Sequence, residues 1–373
     1  MRIIWTNSMF KTNWGFFNPY TRYIVSDMEW ESFNWKKDVN TDLHWSCFQS
    51  YERRYGGQDL NGKKLLIYRH NAYGDQLMAS SLPRYIKHLY PESIIHFYCA
   101  PPVMPLWAHN PYVQGSAIPL PIHFDCHDKY DYHLFFEGML ESNSERDQNC
   151  CYDDMFAFAG FRDVAPEWKR PCIFELPEDY AFFQQCGFGK RPYVVYHAAP
   201  ANKNRTYPLA AGRQLCDMLV GELGMDVLVV GHDEERKYVK LFDPQTPRTR
   251  SAPGVVNLIN QTKNFRDLIP IIKHAKCTIC PDSSVMHLAA AFDAPCVSLW
   301  GIFNPNDRAK YYKNQVALTG FNACPHAPCR DHNFYLPESQ CKDAGEKWGG
   351  KYCAALEAIK PERIVGTVKE MMS

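Results

Sequence analysis

The chain has 373 residues, with 41 Lys and Arg against 41 Asp and Glu, so its formal net charge is zero. That length suits two domains, and the charge balance removes any global electrostatic case for a nucleic-acid or membrane partner. No apolar run approaches the roughly 18 residues of a bilayer-spanning helix, the start MRIIWTNSMF lacks the form of a secretory signal, and 15 scattered cysteines, an odd number, read as reduced cytoplasmic thiols rather than a disulfide framework.

Residues 1–60 are rich in Trp, Tyr, Phe and Asn and show no clean period. They read as an aromatic extension that packs on the first domain. Regular order starts after the Asn61-Gly62 turn signal. Leu65–Tyr68 suits a buried strand. The loop Arg69–Asp75 follows, and the apolar residues Leu77, Met78, Leu82, Ile86 and Leu89 predict a helix that Pro91 ends. Ile94–Tyr98 reads as the next strand and Leu134–Phe136 as a further one. Strand and helix alternating in this way predict a parallel sheet.

A linker is expected around Gly187–Arg191, and a second series starts after it. Its strands are Tyr193–His197, Asp226–Gly231, Cys277–Cys280 and Cys296–Trp300. Its helices cover 209–223, Phe265–Ala275 and Val285–Phe292, and Pro361–Met372 forms a last helix with proline in its first turn. The resulting division is an extension over 1–60, a first α/β domain over 61–186, a second over 187–320 and a cysteine-rich tail over 321–373. The fold class is α/β, two Rossmann-like doubly wound domains facing a central cleft. Ligands bind such sheets at the carboxyl ends of their strands.

Three segments carry candidate chemistry. In the first, a strand feeds a glycine-containing loop into a helix start, which offers backbone N–H groups to an anion. Asp75 at that start suits either a general base or a helix N-cap. The second is His197 to Pro208, in which Lys203 and Arg205 suit a diphosphate leaving group or a solvated loop. The third is Cys280 to His287. Ser283 and Ser284 suit phosphate binding at a helix start or, with Asp282, plain capping, and a lone histidine such as His287 inside an apolar helix is more often a satisfied core residue than a catalytic one. Cys324, Cys329, Cys341 and Cys353 have enough thiols for structural zinc, but no CxxC pair, so packed free thiols compete with that reading.

The order and spacing of these segments resemble glycosyltransferase family 9, the ADP-heptose:lipopolysaccharide heptosyltransferases. The resemblance rests on Arg69 through Gly74-Asp75, on His197 with Arg205-Thr206-Tyr207-Pro208, and on Asp282-Ser283-x-x-Met286-His287 continuing through Pro295, Gly301 and Asn304-Pro305, over roughly 63–310. It implies a GT-B fold with the donor on the second domain and the acceptor on the first. It implies Asp75 as general base and Arg205 as the cation on the leaving diphosphate. Lys203, Glu234 (or Glu235), Asp282, Ser283, Ser284, Met286 and His287 would hold the donor, and Arg69, Asn71, Tyr73 and Gly74 would lie on the acceptor side. Serine at 284 stands where the family carries glycine, and a Cβ disfavours positive φ, so this loop is expected to take a different shape.

The reading is therefore a metal-independent, inverting glycosyltransferase. It moves a sugar from a nucleotide-diphosphate sugar to a hydroxyl of a saccharide or glycolipid and needs no cofactor beyond that donor. Alternatives are a transferase acting on a modified base in DNA, a non-catalytic sugar-nucleotide-binding protein, and an epimerase on the same fold.

Overall fold

The computed structural model describes residues 55–69, 72–114, 129–136, 150–199, 203–232, 237–242, 253–329 and 352–373, together with five short strands at 2–4, 10–12, 15–17, 23–25 and 118–119. It separates into two compact units, Met1–Phe174 and Glu175–Ser373. The division falls ahead of the Gly187–Arg191 segment expected to be the linker.

In the first unit β1 (Arg2–Ile4) pairs antiparallel with β4 (Tyr23–Val25), and β2 (Phe10–Thr12) with β3 (Gly15–Phe17). Residues 26–54 of the expected extension lie outside the described residues. Its end does pack on this unit. The Tyr55 amide donates to His133 O at 2.8 Å, and the Tyr55 ring lies 5.9 Å from Tyr132 and 5.9 Å from Phe161. Gly160 makes this approach possible. Its φ is +81°, and a Cβ there would fall 2.3 Å from Gly56 backbone atoms.

The parallel sheet of this unit has β5 (Lys64–Tyr68), β6 (Ile94–Cys99), β7 (Ile118–Pro119) and β8 (Tyr132–Phe135) in the order β7-β6-β5-β8. Four of the five β5 residues are buried, as a strand covered on both faces requires. The single helix expected after β5 is two, α1 (Tyr73–Ala79) and α2 (Ser81–Leu89). Pro83 explains the break. It has no N–H to give the Ala79 carbonyl, and its ring crowds that carbonyl. The Ser80 and Ser81 hydroxyls donate instead to Leu77 O and Met78 O, at 2.6 and 2.8 Å. A further helix, α3 (Cys151–Phe158), completes the unit's main elements.

The second unit opens with α4 (Tyr180–Gln185). A buried bidentate pair anchors this segment, with Arg266 reaching Asp179 at 2.7 and 2.6 Å. That pair accounts for residues 175–186 belonging to the second unit. The strands are β9 (Tyr193–Ala199), β10 (Asp226–Gly231), β11 (Val255–Asn257), β12 (Thr278–Pro281), β13 (Cys296–Trp300) and β14 (Gln315–Thr319). All pair in parallel, in the order β11-β10-β9-β12-β13-β14. That is the Rossmann order, with its switch point between β9 and β12. Between the strands lie α5 (Leu209–Leu223), α6 (Lys237–Phe242), α7 (Leu268–Lys273), α8 (Ser284–Ala291) and α9 (Pro305–Arg308). Gly224, at φ +62°, ends α5 in the left-handed cap that glycine supplies. After β14 come α10 (Ala354–Glu357) and α11 (Pro361–Met372), the latter with the bounds expected from sequence. Helix α11 packs on α5, and Lys369 pairs with Glu222 at 2.5 Å.

Candidate active site

At the carboxyl edge of the first sheet, β5 runs into Arg69, which is buried. Its guanidinium donates to Phe136 O, just past β8, at 3.2 Å, and forms an ion pair with the Asp75 carboxylate. Arg69 thus ties together the two strands that flank the switch point. Its own carbonyl is held by Gln76 Nε2 at 2.7 Å, and Gln76 Oε1 accepts from Trp107 Nε1 at 2.9 Å. Both Gln76 and Trp107 are buried. This network fixes the approach to Asp75 from behind.

Asp75 is not the N-cap. That place belongs to Ala72, with φ +65° and no side-chain cap, and Asp75 lies two residues inside α1. A non-glycine residue in that backbone region costs about 1–3 kcal/mol and persists where the surroundings impose it. The Asp75 side chain is 21% exposed. Of the other acceptor-side candidates, Tyr73 opens α1 and donates to Pro102 O at 2.9 Å, and burial raises its phenol pKa. Gly74 follows it in the helix, and Asn71 lies outside the described residues.

At the second switch point, β9 leads to a 3-10 turn over Lys203–Arg205, and β12 leads to Asp282. Arg205 Nη1 donates to Asp282 O at 3.1 Å and approaches Asp282 Oδ2 at 3.4 Å. Arg205 is therefore not a solvated loop cation. Its side chain is 16% exposed and that of Asp282 is 4%. Ser283 is the N-cap of α8 by position, yet its hydroxyl makes no cap bond and pairs with His197 Nδ1 at 3.0 Å. Ser284 is the first residue of α8 and is half-buried.

Serine at 284 sits in an ordinary backbone conformation. Ser283 is extended, at φ −157°, and Ser284 is not among the described residues with positive φ. The backbone at this position accommodates serine. Met286 and His287 face inward. Met286 is wholly buried, and His287 is 1% exposed with Nδ1 on the Tyr312 hydroxyl. Both support α8 from within. The Lys203 side chain, Glu234 and Glu235 lie outside the described residues.

Sequence reasoning missed Arg308. Its Nη1 reaches the same Asp282 Oδ2 at 3.4 Å, and its guanidinium lies 4.1 Å from the Phe303 ring centroid. A signal was present in Asn304-x-x-Asp307. The Asn304 side chain accepts from Asn306 N at 3.0 Å and Asp307 Oδ2 accepts from Asn304 N at 3.2 Å, a reciprocal cap that starts a helix at the carboxyl end of β13. The Gln76–Trp107 link was missed as well, because it joins residues that no local pattern relates.

Among the described residues no group of three or more His, Cys, Asp or Glu is placed to hold a metal. Cys324 and Cys329 are half-buried, Cys353 is buried and would meet a Cβ on Gly301 at 2.8 Å, and Cys341 lies outside the described residues. No helix among the described residues is long and apolar enough to cross a membrane.

The model of the family described as Glycosyltransferase family 9 (heptosyltransferase) matches residues 141–337, just over half of the chain. The chain belongs to glycosyltransferase family 9. Lipopolysaccharide heptosyltransferase 1 of Pseudomonas aeruginosa is 29% identical over 140 residues, which are 37% of this chain and 36% of that protein. The chain thus aligns with about a third of the length of the curated relatives it matches. Two solved structures share its fold. ADP-heptose lipopolysaccharide heptosyltransferase II of Escherichia coli has a TM-score of 0.62 at 16% identity, covering 83% of this chain and 98% of its own. The family 9 glycosyltransferase of Veillonella parvula has a TM-score of 0.63 at 13% identity, covering 85% of this chain and 99% of its own. The fold is of the GT-B type, with a Rossmann-like parallel sheet in each unit.

Proposed function

We propose that this family 9 chain is a glycosyltransferase that moves a sugar from a nucleoside-diphosphate sugar to a hydroxyl of a saccharide or glycolipid. The observation that carries the reading is the convergence of Arg205, Arg308 and the start of α8 at the switch point of the six-stranded sheet. Cations and a helix start at that edge suit a diphosphate. The saccharide or glycolipid acceptor takes precedence over a base in DNA because the curated relatives are lipopolysaccharide heptosyltransferases.

In this mechanism the anomeric carbon loses its bond to the diphosphate oxygen and gains one to the acceptor oxygen. Asp75 takes the acceptor proton. A single displacement of this kind inverts the anomeric centre. Charge grows on the leaving diphosphate, so Arg205 contributes mainly in the transition state. The same cations and the α8 start neutralise that charge without a metal, and transfer is expected to persist in excess EDTA.

The test has two arms. Purified protein is first melted with ADP, UDP and GDP. A nucleoside diphosphate that binds the native state raises the melting temperature. It is then incubated with ADP-, UDP- and GDP-sugars and saccharide or glycolipid acceptors, and product is read by mass. A shifted melt without product in any pairing returns the chain to the non-catalytic binding reading. A donor consumed without an acceptor indicates an epimerase. No shift at millimolar nucleoside diphosphate removes the donor site altogether.

A further inference from the structure

The second unit contains two buried arginine–aspartate arrangements, and they are built differently. Arg266 and Asp179 form a closed fork, with Nε and Nη2 on separate carboxylate oxygens at 2.7 and 2.6 Å and side-chain exposures of 6% and 4%. That is the geometry of a pair whose work is structural. At Asp282 two guanidiniums share a single oxygen. Arg205 Nη1 and Arg308 Nη1 both reach Oδ2 at 3.4 Å. Two like charges held on one carboxylate oxygen repel one another in a partly dehydrated setting. Contacts this long are loose for charged hydrogen bonds, which run near 2.7–2.9 Å.

The two arginines come from different places in the chain. Arg205 ends the turn after β9, and Arg308 ends α9, beyond β13. Asp282 lies between them at the end of β12, one residue before the α8 N-cap. Arg308 is positioned on its other side by the Phe303 ring, a contact that favours a guanidinium over an ammonium. Packing, a shared carboxylate and the sheet edge thus aim two forked cations at the region where α8 begins.

We infer that Arg308 is a second diphosphate-binding cation of this chain, coupled to Arg205 through their common hold on Asp282. The inference rests on the proposed donor site and adds to it a residue from outside the three sequence segments that suggested that site. Asp282 spaces the two guanidiniums, and the ligand's phosphate oxygens accept from both.

The experiment is a binding titration of ADP, UDP and GDP, each beside its own nucleoside, on wild type, Arg308→Gln, Arg308→Lys and Arg205→Gln/Arg308→Gln. For a nucleoside diphosphate that the wild type binds, Arg308→Gln is expected to weaken affinity about 10- to 100-fold, the worth of one charged hydrogen bond. Affinity for the matching nucleoside should stay within about twofold, well inside one tenfold step. Arg308→Lys keeps the charge and loses the fork, so it should fall between the two. The double variant should lose less than the product of the single losses, because both side chains act through Asp282.

Diphosphate affinity unchanged in Arg308→Gln overturns the inference and leaves Arg308 as a brace for Asp282. Equal losses for nucleoside and nucleoside diphosphate overturn it too, since they indicate general damage to the unit. Should Arg308→Gln not fold, Arg308→Lys decides, and wild-type affinity for the diphosphate in that variant counts against the fork. A wild type that binds none of the three diphosphates sinks the donor-site reading itself, which no behaviour of the variants does.

Discussion

Both units place an arginine–aspartate contact where their strand order reverses, and the two contacts differ in access. Asp75 is 21% exposed and pairs with the Arg69 guanidinium, whereas Asp282 is 4% exposed and is reached by both Arg205 and Arg308. A carboxylate that takes a proton from a substrate has to be reachable, and a carboxylate that spaces cations has to be held. The first edge is built around a partly exposed acid, supported from behind by Arg69, Gln76 and Trp107. The second is built around a buried acid that organises cations. Similar residues at similar places in two sheets therefore suit opposite tasks, proton acceptance at one and anion binding at the other.

The sharpest way to break this comparison is Asp75→Asn. Asparagine keeps an oxygen for Arg69 and nearly the same volume but cannot take a proton at neutral pH. Turnover is expected to fall about 10²–10⁴-fold, with the melting temperature and nucleoside-diphosphate affinity unchanged. A transfer assay beside a melt and a donor titration checks it. More than about a tenth of the wild-type rate would mean that the exposed acid has no proton to move, and the contrast with Asp282 would lose its chemical meaning. Next in size is Arg205→Ala. Removing one stabiliser of developing charge costs roughly 10²-fold in turnover, with little change in acceptor KM. A steady-state comparison that finds the loss in acceptor KM instead would move Arg205 out of the leaving-group role.

These two residues were legible in the sequence because each follows a strand in a segment with its own local signature. Most of the fold was legible for the same reason. Leu65–Tyr68, Asp226–Gly231 and Cys296–Trp300 are short apolar runs bounded by turns or glycine, and Pro361 marks the first turn of the last helix. Where long-range contacts decide, local pattern gives out. The apolar period runs straight through Ser80, but Pro83 breaks the helix there. Residues 175–186 read as part of the first domain until the Arg266–Asp179 pair ties them to the second. Arg308 converges with Arg205 only because β13 lies beside β12 in the sheet. In the other direction, Met286 and His287 belong to a motif that suggests donor contact, yet the turn of α8 points both inward.

The smallest effect sharpens what the second switch point uses besides cations. Ser284 opens α8 with a half-buried side chain, and its backbone does not require glycine. Replacing it therefore tests the hydroxyl and not a strained loop. If that hydroxyl donates to a phosphate oxygen, Ser284→Ala and Ser284→Gly should weaken nucleoside-diphosphate binding alike, by about 2- to 10-fold, the worth of one neutral hydrogen bond. Ser284→Gly should add at most about 1 kcal/mol of instability, the entropic cost of glycine in a helix. Titrations and urea melts on the two variants separate these contributions. Equal affinities in wild type and both variants would confine recognition at this edge to the guanidiniums and the α8 amides. Tighter binding or a higher melting temperature in Ser284→Gly alone would mean that the loop favours glycine after all, and that the serine strains it.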